Sequence, residues 1–155
     1  MEKQFMTFIL GGGTYGINIL GIREINYNQS ATPAPLAKTH IVGLLNLRGQ
    51  IVTVFDTGIP LGYKDRRSCE QSSLLIMKTN SELSPVARRD GVETHVDQVG
   101  LMVDQIGDVI SCDEAEIEPV PAHADVNVAK YLEGVVKQGD ALVGIINVPE
   151  LLKYE

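Results

Sequence analysis

The sequence predicts an all-β fold with a few short helices, built as two similar small β units, and three observations carry that reading. Fifteen glycines punctuate a chain of 155 residues. The apolar runs they separate have strand length and period-two alternation instead of the 3.6-residue period of a helix. Two matched segments also recur in the same order, which points to an internal duplication.

Phe5 to Leu10 is an apolar run, Gly11-Gly12-Gly13 can adopt the left-handed backbone of a tight turn, and Tyr15, Ile17 and Ile19 then alternate with Gly16 and Asn18. A β-hairpin therefore opens the chain. Thr32-Pro33-Ala34-Pro35 reads as an extended connection, because each proline fixes its own φ and restricts the residue before it. Leu44 to Leu47 and Ile51 to Phe55 flank Arg48-Gly49-Gln50 as a second hairpin. Leu74 to Met77 and Val99 to Val103 form a further pair. Between them, Asn80 to Gln98 carries Pro85, Arg88, Arg89, Asp90 and Gly91 and reads as a long polar loop. Asp113 to Glu118 is an acidic run, read as solvated surface, with a single helical turn as the other reading. Leu132 to Val136 and Leu142 to Val148 flank Gln138-Gly139-Asp140 as the last hairpin. Pro149-Glu150-Leu151-Leu152 then begins a short C-terminal helix, since a first-turn proline loses no hydrogen bond and Glu150 lies near the positive dipole end.

The repeat pairs Tyr15-Gly16-Ile17-Asn18-Ile19 and Ile22-Arg23-Glu24-Ile25 with Val99-Gly100-Leu101-Met102-Val103 and Ile106-Gly107-Asp108-Val109. Downstream, Gly43-Leu44-Leu45, the Arg48-Gly49 turn and Ile51 to Asp56 match Gly134-Val135-Val136, the Gln138-Gly139 turn and Leu142 to Asn147. Several short antiparallel strands in each half close best as small barrels, which also reduces exposed edges.

Composition removes several functions. The formal charge is -7, which opposes phosphate neutralisation, so no nucleic-acid partner is expected. Aromatics are 5% and Trp is absent, leaving little for base stacking. Anionic membrane surfaces are disfavoured by the same charge, and no apolar run approaches the roughly 20 residues that span a bilayer. The opening residues lack a signal-peptide pattern, so the expected compartment is the cytoplasm. Cys69 and Cys112 stand apart with no metal-ligand spacing and read as free thiols.

Chemistry is equally sparse. Gly11 to Gly16 formally contains GxGxxG, but strand-like alternation follows where a helix is required, and Ser30 to Leu36 lacks the acidic residue of a dinucleotide site. His40, His95 and His123 are isolated and read as surface histidines. There is no GxSxG elbow and no phosphate-binding GxxxxGK[ST] loop, and Asp104 and Asp108 would pair only on a helix. No enzymatic activity, cofactor or metal is expected. Arg48 in Asn46-Leu47-Arg48-Gly49-Gln50 reads as a plain exposed cation or as a recognition group. Glu24, between Ile22 and Ile25, reads as part of an amphipathic turn at a barrel edge or as a contact residue.

From Phe5 to Leu152 the chain resembles the CheW-type chemotaxis coupling proteins. The marks are Tyr15 to Leu20 leading to Arg23-Glu24-Ile25, Gly43 to Asp56 with Asn46-Leu47-Arg48-Gly49, Val99 to Asp104, and Tyr131 to Gly134 with Gly139-Asp140. The resemblance implies one CheW-like domain over residues 1–155, made of two SH3-like five-stranded β-barrels around a shared hydrophobic core, with the boundary between them open to strands that cross over between the halves. It also implies a non-enzymatic adaptor, cytoplasmic and recruited to membrane-bound receptor arrays, that links a chemoreceptor's cytoplasmic tip to the regulatory domain of a CheA-type histidine kinase. Arg48 and Glu24 fall on family positions implicated in kinase and receptor contact. Ile22, Ile25, Ile106 and Val109 match apolar positions lining or supporting the groove where a receptor hairpin packs, and Gly43 matches a glycine whose replacement would crowd that region. The long Asn80 to Gln98 segment and Thr57-Gly58 depart from the family pattern. Two other readings are a same-fold adaptor of a non-flagellar pathway such as twitching motility, and a barrel binding a small molecule or oligonucleotide.

Overall fold

Strand β1 (Glu2–Leu10) turns at Gly11 and Gly12 into β2 (Gly13–Asn18), with Gly11 at φ 56°. The ring of Tyr63 covers this turn, so a Cβ on Gly11 would lie 2.5 Å from Tyr63 Cε1. The glycines of the formal GxGxxG string thus make a hairpin. In the computed structural model, which describes residues 2–27, 29–34, 37–63, 71–122 and 124–154, the chain continues through β3 (Ile22–Tyr27), β4 (Ile41–Leu47), β5 (Gln50–Asp56), β6 (Ser73–Met77), β7 (Val99–Val103), β8 (Gln105–Asp113), β9 (Leu132–Gln138) and β10 (Ala141–Ile146). Short helices α1 (Pro85–Arg89), α2 (Val126–Ala129) and α3 (Val148–Leu152) complete it. Pro35, Cys69 and His123 lie outside the described residues.

The strands form two five-stranded sheets, ordered β8-β1-β2-β10-β9 and β3-β6-β7-β5-β4. Replacing each of the first five strands by its counterpart in the second five converts one order into the other. The duplication is therefore real, but neither half closes on itself. Each sheet takes its first two strands from one half and the other three from the other. The halves are joined by parallel pairs, β5 with β7 and β10 with β2, within otherwise antiparallel sheets. Irregularities recur at equivalent places: β3 and β8 bulge at Arg23 and around Gly107, and β4 and β9 at Val42 and Glu133. The turns align as well, placing Arg48 opposite Gly139 instead of Gln138, at φ 52° and 59°.

Each barrel is closed by one further pairing. Beyond β3, Thr32 exchanges two backbone hydrogen bonds of 2.8 Å with Leu44 of β4, and beyond β8, Glu118 exchanges two of 2.8 Å with Val135 of β9. The residue beside each bridge is a glycine because the crossing backbone leaves no room. A Cβ on Gly43 would lie 2.3 Å from Thr32 O, and one on Gly134 would lie 2.7 Å from Glu118 O.

Apolar alternation fills three cores. Leu45, Val52, Val54, Leu74, Ile76 and Met102 fill one barrel, and Phe5, Cys112, Val136, Val143 and Ile145 the other. Between the sheets lies the largest cluster, including Phe8, Leu10, Ile17, Met77, Leu101 and Leu151. Each fully buried large side chain contributes about 1.5–3 kcal/mol of transfer free energy. Cys112 is a buried free thiol, its pKa pushed up first by burial and then by Glu116.

Several expectations change. Asn80 to Gln98 is a long connection between adjacent antiparallel strands, part loop and part helix, with a 3-10 turn at Asn80–Glu82 closed by a Thr79/Glu82 capping box, and α1 capped by Ser84 with Pro85 in its first turn. Thr79, Glu82 and Ser84 are caps, which composition alone makes look like loop. Ile19 leaves the strand for a 3-10 turn because Asn18 caps Leu20 N–H at 3.0 Å. Val148 joins α3, capped by Asn147, instead of extending β10. The acidic run holds a single exposed 3-10 turn, Glu114–Glu116, so both readings of it apply.

His40 is not on the surface: it is 4% exposed, with Phe55 at 5.8 Å and Tyr154 at 5.0 Å between ring centroids. Its neighbours are aromatic residues from distant parts of the chain, which a local reading does not see. Burial, then Lys38, holds its pKa below 6.5. His95 is half-buried, its Nδ1 accepting the Asp97 N–H at 3.0 Å.

Two outcomes follow from this packing. Gly43→Ala should lose about 2–3 kcal/mol in denaturant unfolding because an added methyl meets fixed backbone, whereas Gly12→Ala, with nothing within 4 Å, should change stability by under about 0.5 kcal/mol. Because the folded state lowers the His40 pKa, the unfolded chain binds the extra proton first. The stability His40 contributes is thus present above pH 6.5 and lost as pH falls through the lower folded value. Melting curves between pH 7.5 and 5.5 should show that decline, and His40→Phe should flatten it.

Candidate functional site

The Thr32–Leu44 bridge ties the segment beyond β3 to β4, and the tip of the β4–β5 hairpin reaches β3 through one ion pair. Leu47 pairs with Gln50, so the turn is Arg48 and Gly49, both left-handed at φ 52° and 87°. Among the described residues Arg48 is the one non-glycine with positive φ. Its counterpart in the other half is Gly139, the residue type such a turn prefers. Placing a side chain there costs roughly 1–2 kcal/mol, and residues held in such conformations cluster at functional sites.

The Arg48 guanidinium forms an ion pair with Glu24 of β3, with Arg48 67% and Glu24 25% exposed at the side chain. The structure therefore unites two residues that lie 24 positions apart in sequence. An exposed pair of this kind contributes about 0–1 kcal/mol to stability. Its larger effect is to pre-orient a cation at the rim.

The other candidates separate into groups. Ile22, Ile25 and Ile106 are partly buried and pack against the core cluster between the sheets, so they support the surface from beneath. Val109, on β8, is 47% exposed. Gly43 is buried beneath the Thr32 carbonyl, where it closes the barrel.

Two features beside the ion pair were not singled out by sequence. Ile51 is 56% and Leu44 38% exposed, on the outer face of the β4–β5 hairpin. The register is the signal that finds them: a two-residue turn pairs Leu45 with Val52 inward and Asn46 with Ile51 outward, so this hairpin is apolar on both faces. Arg23, at the β3 bulge, donates to Glu82 Oε1 at 2.7 Å and to Gln98 Oε1. The Thr79 backbone N–H, followed by Arg23, holds Glu82 below the usual carboxylate range. No local pattern marks this clamp, since its partners lie 59 and 75 residues away.

Elsewhere the geometry offers little chemistry. Among the described residues no three His, Cys, Asp or Glu side chains are grouped to hold a metal. Tyr15 and Tyr63 share a 2.9 Å hydrogen bond, and burial raises the Tyr15 pKa further above its ordinary value than that bond does. A cleft between the sheets, lined by Lys3, Phe5, Ile17, Met77 and Glu133, encloses about 40 Å³, against roughly 300–1,000 Å³ for a ligand pocket. No helix among the described residues is long and apolar enough to cross a membrane.

Comparison with known proteins agrees over the full length. The family model for the CheW-like domain matches residues 4–155. A chemotaxis protein CheW from Helicobacter pylori is 29% identical, the match covering 98% of this chain and 82% of the relative. One from Bacillus subtilis is 28% identical, covering 99% and 88%. The crystal structure of the scaffolding protein TtCheW from Thermoanaerobacter tengcongensis superposes with a TM-score of 0.80 at 28% identity, covering 100% of this chain and 95% of that one.

Proposed function

This chain belongs to the CheW-like family, and from that premise we propose that it is a chemotaxis scaffold coupling chemoreceptors to a CheA-type histidine kinase. The observation that carries the reading is the full-length match to chemotaxis proteins of this name together with a matching fold. Those names favour chemotaxis over another chemosensory pathway and over a ligand-binding barrel. The role is one of surfaces, with no reaction assigned to the chain, and it places the protein at receptor arrays through its partners.

On this reading Arg48 and Glu24 form the charged rim of the kinase and receptor contacts, flanked by exposed Ile51 and Leu44. Val109 belongs to the groove that takes the receptor's helical hairpin, and Ile22, Ile25 and Ile106 support that groove from the core between the sheets. Such a groove needs an apolar floor and a few charges that set orientation and on-rate. Reversible assembly favours modest patches with few anchors over one large apolar face. The strained Arg48 backbone supports the reading, because a fold-only turn would be served by glycine, as at Gly139.

Arg48→Glu should keep the parent's circular dichroism and melt while weakening binding to the kinase regulatory domain by at least about tenfold; unchanged affinity in calorimetry removes Arg48 from the contact. Val109→Asp should abolish binding to the receptor tip with little change in melting temperature, since the residue is 47% exposed. Parent-like receptor binding by a folded variant would count against Val109.

A further inference from the structure

The two sheets are built alike, and where they differ one residue stands out. In β8 the bulge around Gly107 lies opposite Thr7 of β1, whose hydroxyl donates to Asp108 O at 2.5 Å. That hydrogen bond secures the backbone where the ladder is interrupted. In β3 the equivalent bulge is Arg23, with Glu24 paired to Ile76 of β6. Ile76 stands where β1 has Thr7, and its side chain has no donor.

We infer that Arg23 is a positioning residue for the partner-binding strand, replacing that missing tie and holding Glu24 where it meets Arg48. Its side chain is 19% exposed and reaches off the bulge to Glu82 and Gln98, near the two ends of the connection between β6 and β7. A bulge bends its strand and re-aims the residues beside it. Here the residue immediately following is Glu24. At the equivalent bulge of β8 the residue is Gly107, which carries no side chain to make such a clamp. Glu82 is itself fixed by accepting the Thr79 N–H at 2.8 Å, so the clamp is anchored to a capped turn and not to a free side chain. The β6–β7 connection thereby acquires a role in recognition through Glu24.

The inference rests on Glu24 being a contact residue, and a mutant cycle separates the two ideas. Affinity for the kinase regulatory domain would be measured by calorimetry for Arg23→Gln, Glu82→Gln and Glu24→Gln, and for each of the first two combined with Glu24→Gln. The Glu82→Gln change keeps an acceptor for the Thr79 N–H and removes only the charge facing Arg23. Both clamp variants should bind roughly fivefold more weakly than the parent, and neither should weaken binding further once Glu24 is Gln. Parent-like binding by both clamp variants while Glu24→Gln loses affinity would overturn the positioning role alone. The same loss in both backgrounds would show a general structural effect and also overturn it. Parent-like binding by Glu24→Gln would remove the contact on which the inference depends, and the inference with it.

Discussion

Two backbone crossings hold this architecture together. At Thr32–Leu44 and at Glu118–Val135 a segment leaving one edge strand bonds to the opposite edge of the same sheet, over a glycine that cannot carry a side chain. Without those bridges each five-stranded sheet would stay open, with unpaired edges available for aggregation. With them, the segment that follows β3 is tied to β4, and the tip of the β4–β5 hairpin meets β3 through the Arg48–Glu24 pair. The Arg48–Glu24 pair is therefore a consequence of closure.

Exchange of strands between the halves adds a second constraint. Because the parallel pairs β5–β7 and β10–β2 join different halves, neither half of the chain can build a barrel alone. The shared core, with Phe8, Ile17, Met77 and Leu101, fixes the sheets against one another. On this symmetrical frame the recognition features are asymmetric. Arg48 stands where the other sheet has Gly139, Arg23 where it has Gly107, and a long capped connection joins β6 to β7 where β1 and β2 have a two-glycine turn. All three features belong to the sheet β3-β6-β7-β5-β4, and glycine stands at the matching places of the other sheet. On a chain of net charge -7, the exposed Arg48 is the cation that would, on the proposed function, give direction to a partner's approach.

The hairpins were legible because their signals are local: alternation, apolar length and left-handed turn residues within a dozen positions. The repeat was legible too, down to the correspondence of Gly43 and Gly134. The sequence leaves room for strands to cross over between the halves but not which ones do, since pairing of Thr53 with Val99, or of Thr14 with Val143, depends on contacts far apart in sequence. The burial of His40 failed to show for the same reason, its aromatic neighbours being Phe55 and the C-terminal Tyr154. The 80–98 segment misled because Ser, Thr, Asn and Glu make both loops and caps, and only the spacing of Thr79 to Glu82 and of Ser84 before Pro85 separates the two. Of the candidate site, the resemblance supplied Arg48 and Glu24 as separate residues. Their pairing, the support from Arg23 and the exposure of Ile51 required the closed barrel.

Coupling of the kind proposed means that one small, surface-built chain joins two partners that do not otherwise associate tightly. Its most direct test is sedimentation of receptor-bearing membranes with purified CheA-type kinase, with and without this protein. Kinase should pellet with the membranes in proportion to the chain added and stay largely in the supernatant without it. Equal pelleting of kinase in both cases, or a chain that remains in the supernatant with receptor and kinase present, would contradict the coupling role.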